Sequence, residues 1–292
     1  MKLGLQIERF DWPGSPGNVA ETLANIARAA EESGLASLWT MDHFFQIEGF
    51  GEVDDPMLEA YATLGYLAAV TRRIRLGALV TGVVYRYPGI LVKTATTIDV
   101  LTGGRSYFGI GVAWFEREAL ALGVPFPSTR TRFELLEEAL QVAHQMWSGS
   151  RTPHRGQHLH LEEPISSPQP LTRPHPPILI GGEGERKTLR LVAQYGDACN
   201  VFADDLRLVR RKLDVLHRHC DEIGRPYEDI ERTALGHIEL TRSRSSIKDV
   251  ISTCQGLASA GIQHFMFTVP EVHNLGLLEV LGREVVPAAA EF

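Results

Sequence analysis

Several things that mark large protein classes are scarce or missing in this 292-residue chain. Its three cysteines, Cys199, Cys220 and Cys254, stand far apart without CxxC spacing. That excludes a disulfide framework and a cysteine zinc cluster, and leaves packing in a reducing cytoplasm as their role. No apolar run reaches the roughly 18 residues of a membrane span. The chain starts with the strand-like MKLGLQI instead of a charged segment and an apolar h-region, so no secretory signal is expected. A basic excess is also missing: the net charge is -7, which speaks against a surface that tracks nucleic-acid phosphates. No GxSxG elbow occurs, which disfavours a serine hydrolase. The stretch Gly109-Ile110-Gly111 lacks the third glycine of a dinucleotide fingerprint, and no acidic residue follows at a new strand end about 20 residues on.

What is present is 44% hydrophobic residues, arranged as short apolar or β-branched runs that alternate with longer segments of helical period. A parallel sheet with crossover helices requires this alternation. The strands expected are Leu3 to Ile7, Ser37 to Met41, Arg75 to Val80, Tyr107 to Ile110, Ile178 to Ile180, Cys199 to Phe202, Thr233 to Leu240 and His264 to Val269. Between them, stripes such as Val19, Leu23, Ile26, Ala27 and Ala30, or Leu206, Val209, Leu213, Leu216 and Cys220, follow the 3.6-residue period of a helix packed on a sheet. Strand-helix units in this number and length match a closed (β/α)8 TIM barrel better than an open doubly wound sheet. The reading is an α/β chain forming one domain over residues 1–292. The segment Ser148 to Pro176 breaks the rhythm with repeated prolines and is read as an insertion before strand five, extended or a small hairpin.

In such a barrel, chemistry gathers where strands end. After strand two come Asp42 and His43, an acid beside an imidazole; the alternative is a turn cap and a space filler. Strand three ends in Leu79, Val80 and Gly82, followed by Tyr85 and Arg86, either a floor for a flat ring or plain barrel packing. Strand four runs into Gly111, Val112, Ala113, Trp114, Phe115 and Glu116, small residues beside aromatics. Strand five, in PPILIGGEG, meets Gly181, Gly182 and Gly184 just before a helix expected from about Arg186. Glycines there let N–H groups converge near a helix N-terminus, which attracts phosphate, although tight strand-to-helix packing also uses glycine. His154, His158 and His160 lie in the proline-rich insertion without a matching acidic strand end, so no metal site is expected.

Taken in order, SLWTMDHF, RIRLGALVTGVVYRYPGILVKTATTIDVLTGGR, FGIGVAWFEREALALGVPFPS and PPILIGGEGERKTLRLVAQYGDACN resemble the bacterial luciferase-like superfamily of barrel oxidoreductases, in particular the branch that uses the deazaflavin coenzyme F420. The resemblance implies that Asp42 and His43 lie by the reactive face of the ring, with His43 a proton donor or acceptor. It implies that Leu79 and Val80 flank a non-prolyl cis peptide behind the ring. Val112, Ala113 and Arg117 match the coenzyme-contacting loop, and Gly181, Gly182, Gly184 and Glu185 match the phosphate loop. Arg86, Lys93, Arg117, Arg186 and Lys187 are candidate partners for the acidic tail of F420.

The chain departs from that pattern in three places. Trp114 stands where related dehydrogenases carry an acid, Ala119 where close relatives carry histidine, and Gln46 or Ile47 where sugar-phosphate dehydrogenases carry an aromatic. The acid-base candidates are therefore His43, then Glu116 or Glu118, and a sugar-phosphate substrate is not expected. The reading is hydride transfer between F420 and a small organic substrate, by a cytoplasmic homodimer with no nucleic-acid or membrane partner. Alternatives are an FMN-dependent monooxygenase and a non-catalytic flavin-binding protein.

Overall fold

Leu3, Leu5 and Ile7 alternate with Gly4 and Gln6 along the first strand, β1 (Lys2–Ile7). The three apolar side chains are fully buried against the helices that follow, as the two-residue period of a strand dictates. Gly4 and Gln6 face the other way, into a ring of strands. The computed structural model covers residues 1–292. After β1 come α1 (Val19–Glu32), β2 (Ser37–Thr40), α2 (Ala60–Val70), β3 (Arg75–Ala78), β4 (Thr81–Gly82), α3 (Pro88–Thr102), β5 (Phe108–Gly111), α4 (Glu116–Ala121) and α5 (Thr129–Trp147). The two-residue strands β6 (His154–Arg155) and β7 (His160–Leu161) precede β8 (Ile178–Gly181), α6 (Thr188–Tyr195), β9 (Ala198–Phe202), α7 (Leu206–Ile223), β10 (Glu231–His237), α8 (Arg244–Ser259) and β11 (His264–Thr268). Two short helices, α9 (Leu275–Val280) and α10 (Val286–Ala290), finish the chain.

The main sheet runs β3-β2-β1-β11-β10-β9-β8-β5-β4, and every pairing in it is parallel. Its two ends, β3 and β4, are halves of one barrel strand separated by a cis peptide between Leu79 and Val80. A Leu76–Ser106 bridge joins that strand to the start of the β5 segment, so the ring closes as the expected (β/α)8 barrel. The side-chain parity shifts at the break. Gly77 pairs with inward-facing Trp39, whereas Gly82 pairs with inward-facing Gly111, so Leu79 and Val80 both face the interior. Gln6 fixes this bend by donating from Nε2 to the Leu79 carbonyl at 3.1 Å.

Packing is layered. One large apolar core lies between strands and helices, and the expected stripes of α1 and α7 point into it. A second small core, Trp39, Leu79, Tyr107, Leu179, Ala198 and Met266, fills the barrel itself. Each large apolar side chain buried in this way contributes about 1.5–3 kcal/mol. Below it the N-terminal end is filled with hydrogen-bonded polar groups. Glu231 accepts from Lys2 Nζ at 2.9 Å and Tyr107 Oη at 2.7 Å, and Ser37 links Trp39 Nε1 (2.6 Å) to His264 Nε2 (2.8 Å). The opposite, C-terminal end carries the strand ends discussed next.

The insertion before β8 contains the antiparallel β6–β7 hairpin. Buried Glu138 of α5 accepts hydrogen bonds from the N–H groups of Gln157, His158 and Leu159 at 2.8–3.1 Å. Asp99 of α3 does the same for Leu171 and Thr172. Two buried carboxylates thus seat the proline-rich segment on α5 and α3. No helix is long and apolar enough to cross a membrane.

Candidate active site

His43 follows β2 at the C-terminal mouth, and its ring is about five-sixths buried, with 16% of the side chain exposed. Its Nδ1 lies 3.3 Å from Glu118 Oε1, while Trp114 and Phe115, stacked on each other, meet it edge-on at 5.4 and 5.9 Å. Glu118 is fully buried. It also accepts the Phe44 and Phe45 N–H groups at 2.6 and 2.8 Å and the Tyr85 hydroxyl. Burial alone would push this carboxyl up, but the hydrogen bonds from His43, Tyr85 and Phe45 outweigh it and hold Glu118 below the usual carboxylate range. Burial, then the carboxylate, push Tyr85 up, so it stays a phenol donor. An ionised acceptor on Nδ1 fixes the proton there and leaves Nε2 for the mouth.

The acid that serves His43 is therefore Glu118. Glu116, the other candidate, is exposed at the start of α4 and its carboxylate makes no hydrogen bond or ion pair within the chain. Two residues, about half a helical turn, separate the two, so they face opposite sides and only the later position turns inward. Arg117, between them, is exposed as well.

Asp42 points elsewhere. It is 3% exposed and forms a two-pronged pair with Arg86, Nη1 to Oδ2 at 2.7 Å and Nη2 to Oδ1 at 2.8 Å, while Gly82 N–H adds a third bond at 3.1 Å. Arg86 also reaches Glu59 and lies over the Tyr61 ring at 4.8 Å. Burial would lower its hold on the proton, but the Asp42 and Glu59 carboxylates reverse this and keep it charged. The carboxylate of Asp42 is thus an internal brace between the β2 and β4 ends, and Arg86 leaves the set of cations for an acidic tail.

The β4, β5 and β8 ends form a bare wall. A Cβ on Gly181 would lie 2.7 Å from Val80 Cγ2, and one on Gly111 2.9 Å from the same atom. A Cβ on Gly82 would meet the Tyr85 ring at 2.7 Å and Ala113 Cβ at 3.2 Å. Ala113 has φ of 60°, a backbone region that non-glycine residues seldom adopt, and next to it Val112 is half-buried. Leu79 belongs to the inner core below this wall.

From the wall the chain turns through Gly182, with φ of +107°, and Gly184, where a Cβ would lie 2.9 Å from Thr188 Oγ1. The helix begins at Thr188, two residues later than expected. Gly182 N–H donates to Asn200 O at 3.3 Å. The N–H groups of residues 183–188, by contrast, donate to no acceptor in the chain, and they precede a helix whose dipole favours an anion. Glu185 does not face them with its carboxylate, which is held by Arg211 (2.9 Å) and Lys212 (3.1 Å) of α7. His219 Nε2 lies 2.8 Å from the Glu185 carbonyl. Glu185 ties the loop to α7.

The sequence reading passed over Glu8, which directly follows β1 at the same mouth, and Thr268 and His237, which end β11 and β10. The available signal was the β1 alternation, which puts Glu8 on the same inward face as Gln6. No group of three or more His, Cys, Asp or Glu is arranged to hold a metal ion.

Three comparisons bear on this arrangement. The model of the luciferase-like monooxygenase family matches residues 1–281. The chain is 32% identical over 317 aligned positions to an F420-dependent glucose-6-phosphate dehydrogenase of Kineococcus radiotolerans, covering 91% of this chain and 92% of that one. It is 25% identical over 249 positions to the oxygenase component of a flavin-dependent trigonelline monooxygenase of Acinetobacter baylyi, covering 85% and 66% respectively. Among solved structures, an F420-dependent secondary alcohol dehydrogenase in complex with an F420-acetone adduct superposes with a TM-score of 0.82 at 18% identity over 99% of this chain and 98% of that one, a likeness of fold.

Proposed function

The chain belongs to the luciferase-like monooxygenase family, and from that premise we propose that it is an F420-dependent oxidoreductase moving a hydride between the deazaflavin coenzyme and a small organic substrate. The observation that carries the proposal is the packing of Val80 directly on Gly111 and Gly181, so close that a Cβ at either glycine would displace it, on a wall that runs into unpaired N–H groups at residues 183–188. A flat ring with an anionic arm fits that sequence of surfaces. Val80, Gly111, Val112, Ala113 and Gly181 would hold the ring, and the loop through Gly182 and Gly184 the phosphate. With Arg86 on Asp42 and Lys93 Nζ donating to the Ser167 carbonyl, Arg117, Arg186 and Lys187, all exposed, are the cations left for an acidic tail. Bound there, the deazaflavin supplies or accepts a hydride.

The chain's own part is proton handling and positioning. His43 gives or takes a proton at Nε2, and Glu118 accepts the Nδ1–H and holds the ring in that orientation. Trp114 and Phe115 limit the water that reaches the ring of His43. The intact His43–Glu118 pair favours an enzyme over a flavin-storage protein. The sugar phosphate in the relative's name is not carried over, because Gln46, where an aromatic was looked for, is buried with Nε2 on the Glu8 carbonyl at 3.0 Å. The likeness to a flavin-dependent monooxygenase supports a second reading, in which FMN occupies the same wall and reacts with oxygen. By family likeness the enzyme works as a homodimer.

Separate spectroscopic titrations with F420 and FMN test the choice. Tight F420 binding without oxygen consumption supports hydride transfer, and preference for FMN with oxygen consumption supports the second reading.

A further inference from the structure

The proline-rich insertion returns to the barrel through His175, Pro176 and Pro177, directly ahead of β8. The half-buried ring of His175 stacks on Trp147 of α5, with centroids 5.4 Å apart and planes 18° from parallel. It meets the ring of His144, one turn earlier on the same helix, edge-on at 4.9 Å. His175 Nδ1 lies 3.0 Å from the Pro176 carbonyl and 3.7 Å from Asp197 Oδ2, and His144 Nε2 lies 3.3 Å from the Tyr195 carbonyl. Asp197 in turn accepts the Ile178 N–H at 2.8 Å, so the first residue of β8 hangs on the same cluster.

A carbonyl accepts only from a protonated nitrogen, so each ring carries its proton on the side that faces a carbonyl and charges by gaining a second one on the other nitrogen. The surroundings do not balance two such charges. Asp197 is the carboxylate beside His175. Glu137 takes the Tyr195 hydroxyl at 3.3 Å, and Arg225, which donates to the Val192 and Ala193 carbonyls, adds positive charge. Burial, then His175, hold His144 below the ordinary imidazole value, with the Tyr195 carbonyl and Asp197 opposing and Arg225 adding to the effect. One carboxylate can offset one imidazolium, but two imidazolium rings in contact repel each other.

We propose that His144 and His175 form an acid-sensitive clasp that fastens the end of the insertion and the start of β8 to α5: neutral rings hold it shut, and a proton on each opens it. His144 holds its proton less tightly in the folded chain than in the unfolded one. The stabilisation from its neutral form is therefore present above the ordinary 6.5 and is lost as pH falls through the lower folded value. The strand so released ends at Gly181, ahead of the loop given to the phosphate, and that consequence alone rests on the proposed function.

Hydrogen exchange in coenzyme-free protein, corrected for the intrinsic effect of pH, reads the Ile178 N–H and the segment before it. From about one unit above the ordinary imidazole value to about one unit and a half below it, protection in wild type falls about tenfold. His144→Gln keeps the stack on Trp147, leaves a single imidazole beside Asp197 and holds its protection over the same range. His175→Gln is looser throughout, for want of the stack, but falls by less than wild type. Wild-type protection that does not change with pH, or that falls equally in His144→Gln, overturns the proposal. F420 affinity, followed by fluorescence over the same range, separates the two readings: exchange that opens as described while affinity stays constant supports the clasp and counts against the loop as the phosphate site.

Discussion

Around the barrel mouth, β4, β5 and β8 end in Gly82, Gly111 and Gly181, whereas β10 and β11 end in His237 and Thr268 and β1 runs into Glu8. The first side offers bare backbone against Val80 and the second offers hydrogen-bonding side chains. Neither is what stability alone selects. Glycine in a strand loses more conformational freedom on folding and buries no side chain, and a buried carboxyl such as Glu8, whose Oε2 has no hydrogen-bond partner, carries a desolvation penalty. The difference teaches a division of labour: one half makes room for a flat ring, and the other, with His43 beside it, handles protons. Concessions of stability on both sides of one opening are what a functional site looks like energetically.

The comparison can be broken at its polar side first. His43→Ala is expected to lower turnover by about 10²–10⁴-fold with coenzyme affinity kept, measured by steady-state rates beside a binding titration; equal activity removes His43 from the mechanism. Glu118→Ala leaves the Phe44 and Phe45 N–H groups and the Tyr85 hydroxyl without their acceptor and is expected to lower unfolding stability by about 3–5 kcal/mol. Urea denaturation measures it, and a loss below a tenth of that means water replaces the carboxylate.

Glu8 sharpens the same side through pH. Its carboxyl holds its proton more tightly in the folded chain than in the unfolded one, about 7 against an ordinary 4.5. The stabilisation it contributes is complete below the ordinary value and is lost as pH rises through about 7. Glu8→Gln should therefore gain on wild type by about 3 kcal/mol on going from acid to alkaline conditions. Parallel stability curves across that window contradict the shift. The smallest effect belongs to the glycine side: Gly181→Ala puts a methyl 2.7 Å from Val80 Cγ2 and should weaken coenzyme binding by about 1–3 kcal/mol, read by fluorescence titration. Unchanged affinity moves the ring elsewhere.

Much of the barrel was legible because its periods are local. Leu3, Leu5 and Ile7 announce a strand and Val19, Leu23 and Ile26 a helix without reference to the rest of the chain. The break at Leu79–Val80 was expected only through family likeness, since the apolar run from Arg75 to Val80 reads as one continuous strand. Partners far apart in sequence were the harder part. His43 and Glu118 meet only because neighbouring loops converge, so Glu116 and Glu118 looked alike until α4 gave them opposite faces. Arg86 reads as a surface cation until the fold brings Asp42 within 2.7 Å. Glu185 was placed in the phosphate loop with the glycines by family likeness, while its carboxylate is held by Arg211 and Lys212 of α7. Glu8 was readable from alternation alone, but a charge one residue past a strand is easily taken for the start of a loop.

The most direct test of the ring-and-arm arrangement is the backbone amide NMR spectrum of the protein titrated with F420. The account predicts shifts concentrated at Gly111, Ala113, Gly181 and the N–H groups of residues 183–188. Saturable binding that leaves those amides unmoved and shifts another surface would contradict it.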